Sequence, residues 1–186
     1  MPPSLKGLVQ LSHHRWMVPL VAEIGRVGGE RFAVLGTRLE VSGPSLRRAL
    51  AAAQNADLVM PNPGYGHPLR PEYLLTPWGE AIARECHEVM KAARAQSWSK
   101  LIARKWTLPV LAAIKFGHHR YSDIAQALPA STPRAIANAL DDLTQAGCID
   151  RTLVDERPPR PDYSIGRAGR RLARTAAGLA VATQGK

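Results

Sequence analysis

The spacing of apolar residues changes along the chain in a fixed order. Residues 107–116, Thr-Leu-Pro-Val-Leu-Ala-Ala-Ile-Lys-Phe, predict a helix with Thr107 as cap. Pro109 falls in its first turn, where a missing amide costs nothing, and Gly117 ends it. Residues 121–128 predict a short helix capped by Ser122, with Ile124, Ala125 and Leu128 on one face and Pro129 as its stop. Residues 132–147 predict a third helix. Thr132 caps it, Pro133 opens it, Gly147 closes it, and Ile136, Leu140 and Leu143 form its buried stripe. The pattern then turns to strands at 148–154 and 162–165, around a basic loop at 155–161. A last helix carries Ala168, Leu172, Ala176 and Leu179 along one side. Three helices, a hairpin and a helix make a winged helix-turn-helix.

The upstream residues follow the same script: helices at 16–26, 32–39 and 44–55, a hairpin across 58–75, and a helix at 78–93. The stripe of that last helix is Trp78, Ile82, Cys86, Val89 and Ala93. Residues match in pairs at a separation of 90, as in Trp16/Trp106, Pro19/Pro109 and Ile24/Ile114. The separation is 89 for Arg31/Arg120, Phe32/Tyr121, Leu35/Ile124 and Leu39/Leu128, then 90 again from Leu46/Ile136 through Ile82/Leu172. Two compensating gaps in loops are what duplicated domains tolerate. The expectation is a mainly α fold with small β-hairpin wings (α+β). It comprises two tandem winged helix-turn-helix domains, at 1–95 and 96–186, forming a pseudo-dimer. No Pro/Gly-rich linker separates them; helix-compatible residues run from Trp78 through Ala95 toward Lys100 and would restrict the angle between the copies.

Composition narrows the function. The chain has 186 residues, 45% of them apolar, enough for a core. No run of apolar residues approaches a membrane span, the N-terminus does not read as a secretory signal, and two cysteines build no disulfide framework. A cytoplasmic setting, in association with the nucleoid, is expected. Lys and Arg number 25 against 15 Asp and Glu, a net charge of +10 that raises the odds of a polyanionic partner. The excess is +3 over residues 1–95 and +7 over 96–186. Arg167, Arg170, Arg171 and Arg174 supply much of it, either toward phosphate or as a solvated outer face.

No phosphate loop, dinucleotide fingerprint or catalytic triad is recognisable, so no enzymatic activity and no cofactor are expected. The pairs His13-His14 and His118-His119 lack metal-ligand spacing. Cys86 and Cys148 read as small core residues, with a thiol-sensor role left open. Trp16, Trp78 and Trp106 read as packing residues or as the lining of a small-molecule cavity between the copies.

The second copy carries R-K-W-T-L-P-V-L at 104–111, R-Y-S-D-I at 120–124, T-P-R-A-I-A-N-A-L-D-D-L-T-Q-A-G at 132–147 and P-P-R-P-D-Y-S-I-x-x-x-G at 158–169. The first carries R-W-M-V-P-L at 15–20, S-G-P-S-L-R-R-A-L at 42–50 and R-P-E-Y-L-L-T-P-W-G at 70–79. Over about 150 residues the chain resembles the HxlR-type bacterial winged-helix regulators. That resemblance implies double-stranded DNA as partner. Members usually carry one such domain and bind a palindromic operator as homodimers. This chain departs by fusing two copies, so it would act as a monomeric pseudo-dimer.

A recognition helix places its N-terminal residues in the major groove. Opposite the stripe of the second copy stand Arg134, Ala137, Asn138 and Asp141, with Arg134 matching the family's Ser-Pro-Arg arginine. Arg grips guanine and Asn grips adenine in bidentate fashion. The first copy offers Ser45, Arg47 and Arg48. The wings add Arg151, Arg157 and Arg160 in one copy, and Tyr65, His67 and Arg70 in the other. The bland alternatives are solvated helix residues and, for Arg70 and Arg160, pairing with nearby acids. The favoured function is a sequence-specific transcriptional regulator, a repressor before an activator, with a small-molecule effector left open. The alternative is a winged-helix protein-interaction module, suggested by the Ala51-Ala52-Ala53 run in the first recognition helix.

Overall fold

The computed structural model describes residues 4–63, 72–155 and 159–184. It begins with a helix the periodicity did not single out, α1 (Lys6–Leu11), which buries Leu8 and Leu11. Then follow α2 (Met17–Val27), β1 (Glu30–Arg31), α3 (Phe32–Arg38), α4 (Gly43–Asn55), β2 (Val59–Pro61), β3 (Glu72–Leu75) and α5 (Pro77–Arg94). The second half runs α6 (Ser99–Ile102), α7 (Thr107–Lys115), α8 (Tyr121–Ala127), α9 (Pro133–Gln145), β4 (Ile149–Val154), β5 (Arg160–Ile165) and α10 (Arg170–Ala182).

The first sheet is antiparallel in the order β1-β3-β2, with Glu30 opposite Tyr73 and Val59 opposite Leu75. The second is the β4-β5 hairpin, in register from Ile149–Ile165 to Val154–Arg160. Where the first half has β1, the second keeps a single bridge between Arg120 and Asp162.

One apolar cluster runs through both halves. Helix α2 packs on α5, α7 packs on α10, and α5 packs on α10 across the middle. The short helices cross over: α1 lies against α7 and α10, while α6 lies against α5 and α7. Helix α7 is buried from Thr107 through Ile114, as expected of a segment apolar on every side.

Each wing meets its closing helix at a glycine. A Cβ at Gly79 would overlap the Leu58 carbonyl, and one at Gly169 would overlap the Cys148 carbonyl. Only glycine lets strand and helix approach so closely.

Four local expectations are corrected. Thr107 does not cap α7: Trp106 holds that position, and the Thr107 hydroxyl donates instead to the Leu101 carbonyl at 2.9 Å. Ser122 does not cap α8 either, because Arg120 precedes the helix and the Ser122 hydroxyl donates to Asp123. Ala168 is exposed in the turn before α10, which starts two residues later. The helix from Trp78 does not run on to Lys100. It ends at Arg94, Ser97 takes a left-handed conformation with φ 58°, and Trp98 tucks into the core before α6.

Candidate nucleic-acid interface

The tight elements α3–α4 and α8–α9 each set a second helix against the core by its inward stripe. In α9 the stripe is Ile136, Ala139, Leu140 and Leu143; in α4 it is Leu46, Ala49, Leu50 and Ala53. Each fully buried Leu or Ile contributes about 1.5–3 kcal/mol, so these stripes fix which face looks outward.

On α9 that outward face carries Arg134, Ala137, Asn138 and Asp141, all exposed. The Thr132 hydroxyl accepts the Ala135 amide at 3.2 Å, a cap that anchors the helix start. Tyr121 of α8 adds a second anchor by donating its hydroxyl to the Pro133 carbonyl at 3.0 Å. Arg134 therefore projects from a doubly pinned first turn, and Asn138 from the turn that follows it.

On α4, Arg47 and Arg48 are exposed and Ser45 is half-buried. The Ser42 hydroxyl bonds the Ser45 hydroxyl at 3.1 Å and caps no backbone amide. The Arg47 guanidinium lies 5.5 Å from the centre of the Phe32 ring, a cation–π contact that ties it back toward α3.

The wings present Arg151, exposed on β4, and Arg160 on β5. The Arg160 side chain is 24% exposed and pairs with Asp162 at 3.5 Å, which favours the structural side of its two readings. Leu153 near the tip of β4 is 69% exposed. Tyr65, His67, Arg70 and Arg157 lie outside the described residues.

The remaining basic cluster faces outward from α10. Arg167, Arg170 and Arg174 are exposed, and Arg171 reaches Glu88 of α5 at 3.5 Å, linking the two halves. Both thiols are free and buried. Burial pushes the Cys148 thiol up to about 12 and the Cys86 thiol higher still, so both stay protonated and unreactive near neutrality. Among the described residues no cluster of His, Cys, Asp or Glu is arranged to hold a metal, and no helix is long and apolar enough to cross a membrane.

What sequence reasoning missed is the support of these helices. The Tyr121–Pro133 bond and the Phe32–Arg47 contact join residues whose one-dimensional signal is only an aromatic at matched positions.

Residues 101–181 match the HxlR-like helix-turn-helix family. The chain is 30% identical over 93 residues to an uncharacterized HTH-type transcriptional regulator, sll1512, of Synechocystis sp., covering 50% of this chain and 69% of that protein. It is 35% identical over 69 residues to an uncharacterized HTH-type transcriptional regulator of Methanothermobacter thermautotrophicus. That match covers 37% of this chain and about half of the relative, 53%. Among solved structures, diamide-treated YodB from B. subtilis matches 46% of this chain and 82% of its own, with 21% identity and a TM-score of 0.40. The family and these relatives are transcriptional regulators, not enzymes.

Proposed function

Because the chain belongs to the HxlR-like helix-turn-helix family, we propose that it is a duplex-DNA-binding regulator in which one polypeptide supplies two reading heads. The carrying observation is the pair α4 and α9, each turning its apolar stripe inward and its cationic or amide side chains outward, and each followed by a hairpin. Arg134 and Asn138 are the base-reading pair of the second head, and Arg47 and Arg48 the cations of the first. Arg151, with His67, Arg70 and Arg157 by sequence position, is assigned to the wings as a phosphate contact, while Arg160 is assigned to pinning its wing through Asp162.

The duplication at 1–95 and 96–186 is part of the same proposal. It is supported by the recurring element order and by the crossed short helices, α1 on α10 and α6 on α5. That crossing is what a homodimer would form by exchanging arms about a two-fold axis. Covering its operator, the protein acts as a repressor.

Selection from random duplex DNA, with stoichiometry measured on the winning sequence, tests this. The expected result is one chain on two unlike half-sites, nanomolar affinity, and a steep loss of affinity with salt. A reporter driven by the selected site should rise when the gene is removed. The Ala51-Ala52-Ala53 run favours a second reading, in which the first head binds a protein. No enriched motif together with a stable protein partner would establish that reading instead.

A further inference from the structure

We propose that the cavity between α1 and the C-terminal end of α4 binds a planar aromatic carboxylate, one per chain. Its volume is about 1020 Å³, ample for a small organic molecule. Leu11, Met17, Leu58 and Ile82 give it apolar walls, and Trp78 gives it an aromatic one. Its cationic and imidazole groups are Lys6, His13 and His14, and among the described residues that line it none carries a carboxylate.

The electrostatics favour an anion. His14 Nδ1 accepts the Trp16 amide at 3.4 Å, which leaves Nε2 as a donor in the neutral ring. Burial, and then the charges of Arg48, His13 and Arg15, hold the His14 imidazolium below its ordinary pKa. Of these causes only the charges of Arg48, His13 and Arg15 act on a ligand's sign: they make the wall electropositive and offset part of the cost of desolvating a carboxylate there.

The second half shows that side chains rather than the fold open this cavity. The residues 90 positions after His14, Ala52 and Trp78 are Arg104, Asp142 and Ala168. Arg104 and Asp142 form an ion pair across the corresponding gap, and Ala168 turns to solvent. In the first half the imidazole and the methyl group cannot pair, so the space stays open, with an indole beside it.

Occupancy would bear on DNA binding, a clause that rests on the function proposed above. Ala52, Asn55 and Ala56 of α4 line the cavity, and the opposite wall, α1, is held by α7 and α10 of the other half. A ligand touching both has different affinity for different head orientations, and thereby shifts them.

The test is calorimetric titration of the full chain, without DNA, with 2-naphthoate and its neutral counterpart 2-naphthylmethanol. One saturable naphthoate site is expected, with the alcohol about tenfold weaker or worse. The double variant His14→Arg/Ala52→Asp, which copies the pair of the second half, should lose naphthoate affinity by at least about tenfold. Arg104→Ala should leave it unchanged. Trp78→Leu gives a second route to the same loss if the double variant lowers Tm. Non-saturable binding, equal binding of the alcohol, or full affinity in both the double variant and Trp78→Leu overturns the site. The selected operator is then titrated with and without naphthoate. Unchanged DNA affinity beside intact naphthoate binding removes only the coupling, and a chain that binds no DNA but still binds naphthoate sinks the regulator reading alone.

Discussion

At the start of α9 the Thr132 hydroxyl accepts a backbone amide and Arg134 stands exposed. At the start of α4 the Ser42 hydroxyl bonds another side chain, and Pro44 occupies the position of Arg134. Inward the two helices agree: Leu46, Ala49 and Leu50 bury as Ile136, Ala139 and Leu140 do. Outward they disagree: Arg47, Arg48 and Ala51 stand where α9 has Ala137, Asn138 and Asp141. The inward set is what either half needs to fold, and it tolerates only apolar exchange. The outward set is free to specialise. On the DNA-binding reading α9 becomes the base reader, with donors suited to bidentate contacts, and α4 becomes the phosphate anchor.

The largest expected effects come from the positions where the halves are alike. Gly79→Ala and Gly169→Ala should each cost about 3 kcal/mol, the upper end for forcing a methyl group into filled space. In both cases the methyl group meets a backbone carbonyl that cannot swing away. Urea unfolding measures this. A variant that costs nothing in one half and several kcal/mol in the other would break the equivalence of the two wing–helix junctions.

Next in size is the difference between the heads. Arg134→Ala should weaken binding to the selected operator by about 1–3 kcal/mol and relax base preference at one position. Arg47→Ala should cost under about 1 kcal/mol and leave preference intact, because its guanidinium is shared with the Phe32 ring. Competition binding with single-base variants of the operator ranks the two. The reverse order would exchange the roles given to α4 and α9.

Capping comes third. Thr132→Ala should lower stability by about 1 kcal/mol, whereas Ser42→Ala should cost only a few tenths, because no amide loses a partner. Equal losses by thermal unfolding would mean that Ser42 caps α4 in solution.

The same contrast explains what the sequence disclosed. Helix α9 was legible from its stripe, cap and closing glycine, α4 from its stripe and Pro44, and the wing strands from the change of period, all of them local signals. Thr107 and Ser122 misled because each is a good cap residue one or two places past the true cap position, with its hydroxyl drawn to another partner. The break after Arg94 was hidden because Ser97 adopts a left-handed conformation that the composition does not announce, while Trp98 gains burial by turning inward. At the candidate interface the outward exposure of Arg134, Asn138, Arg47 and Arg48 was legible from helix geometry. The Arg104–Asp142 pair was not, since its partners lie far apart in the chain, and of the three tryptophans offered as a cavity lining only Trp78 lines the cavity beside His14.

The smallest expected effect separates the halves by pH. In the first half the Glu23 carboxylate pairs with Arg26 at 2.8 Å and Arg38 at 3.1 Å, and Arg38 also reaches Glu30 at 2.8 Å. In the second half the position of Glu23 is Ala113, which is fully buried and has nothing to titrate. The hydrogen bond from Arg26, before any other cause, holds the Glu23 carboxyl below its ordinary range. Folding therefore gains from Glu23 ionisation above the unfolded-state carboxylate value of about 4.3, and that gain is lost as pH falls through the lower folded value. Both arginines are more than a third exposed, so water screens the pairs and Glu23→Gln should cost only about 0.5 kcal/mol at neutral pH. Urea unfolding of the wild type and of Glu23→Gln, from neutral pH into the acid range, should show the two curves converging as the carboxylate protonates. A gap that stays constant or widens on acidification would place the contribution of Glu23 in packing, and the two halves would then differ there in shape rather than in charge.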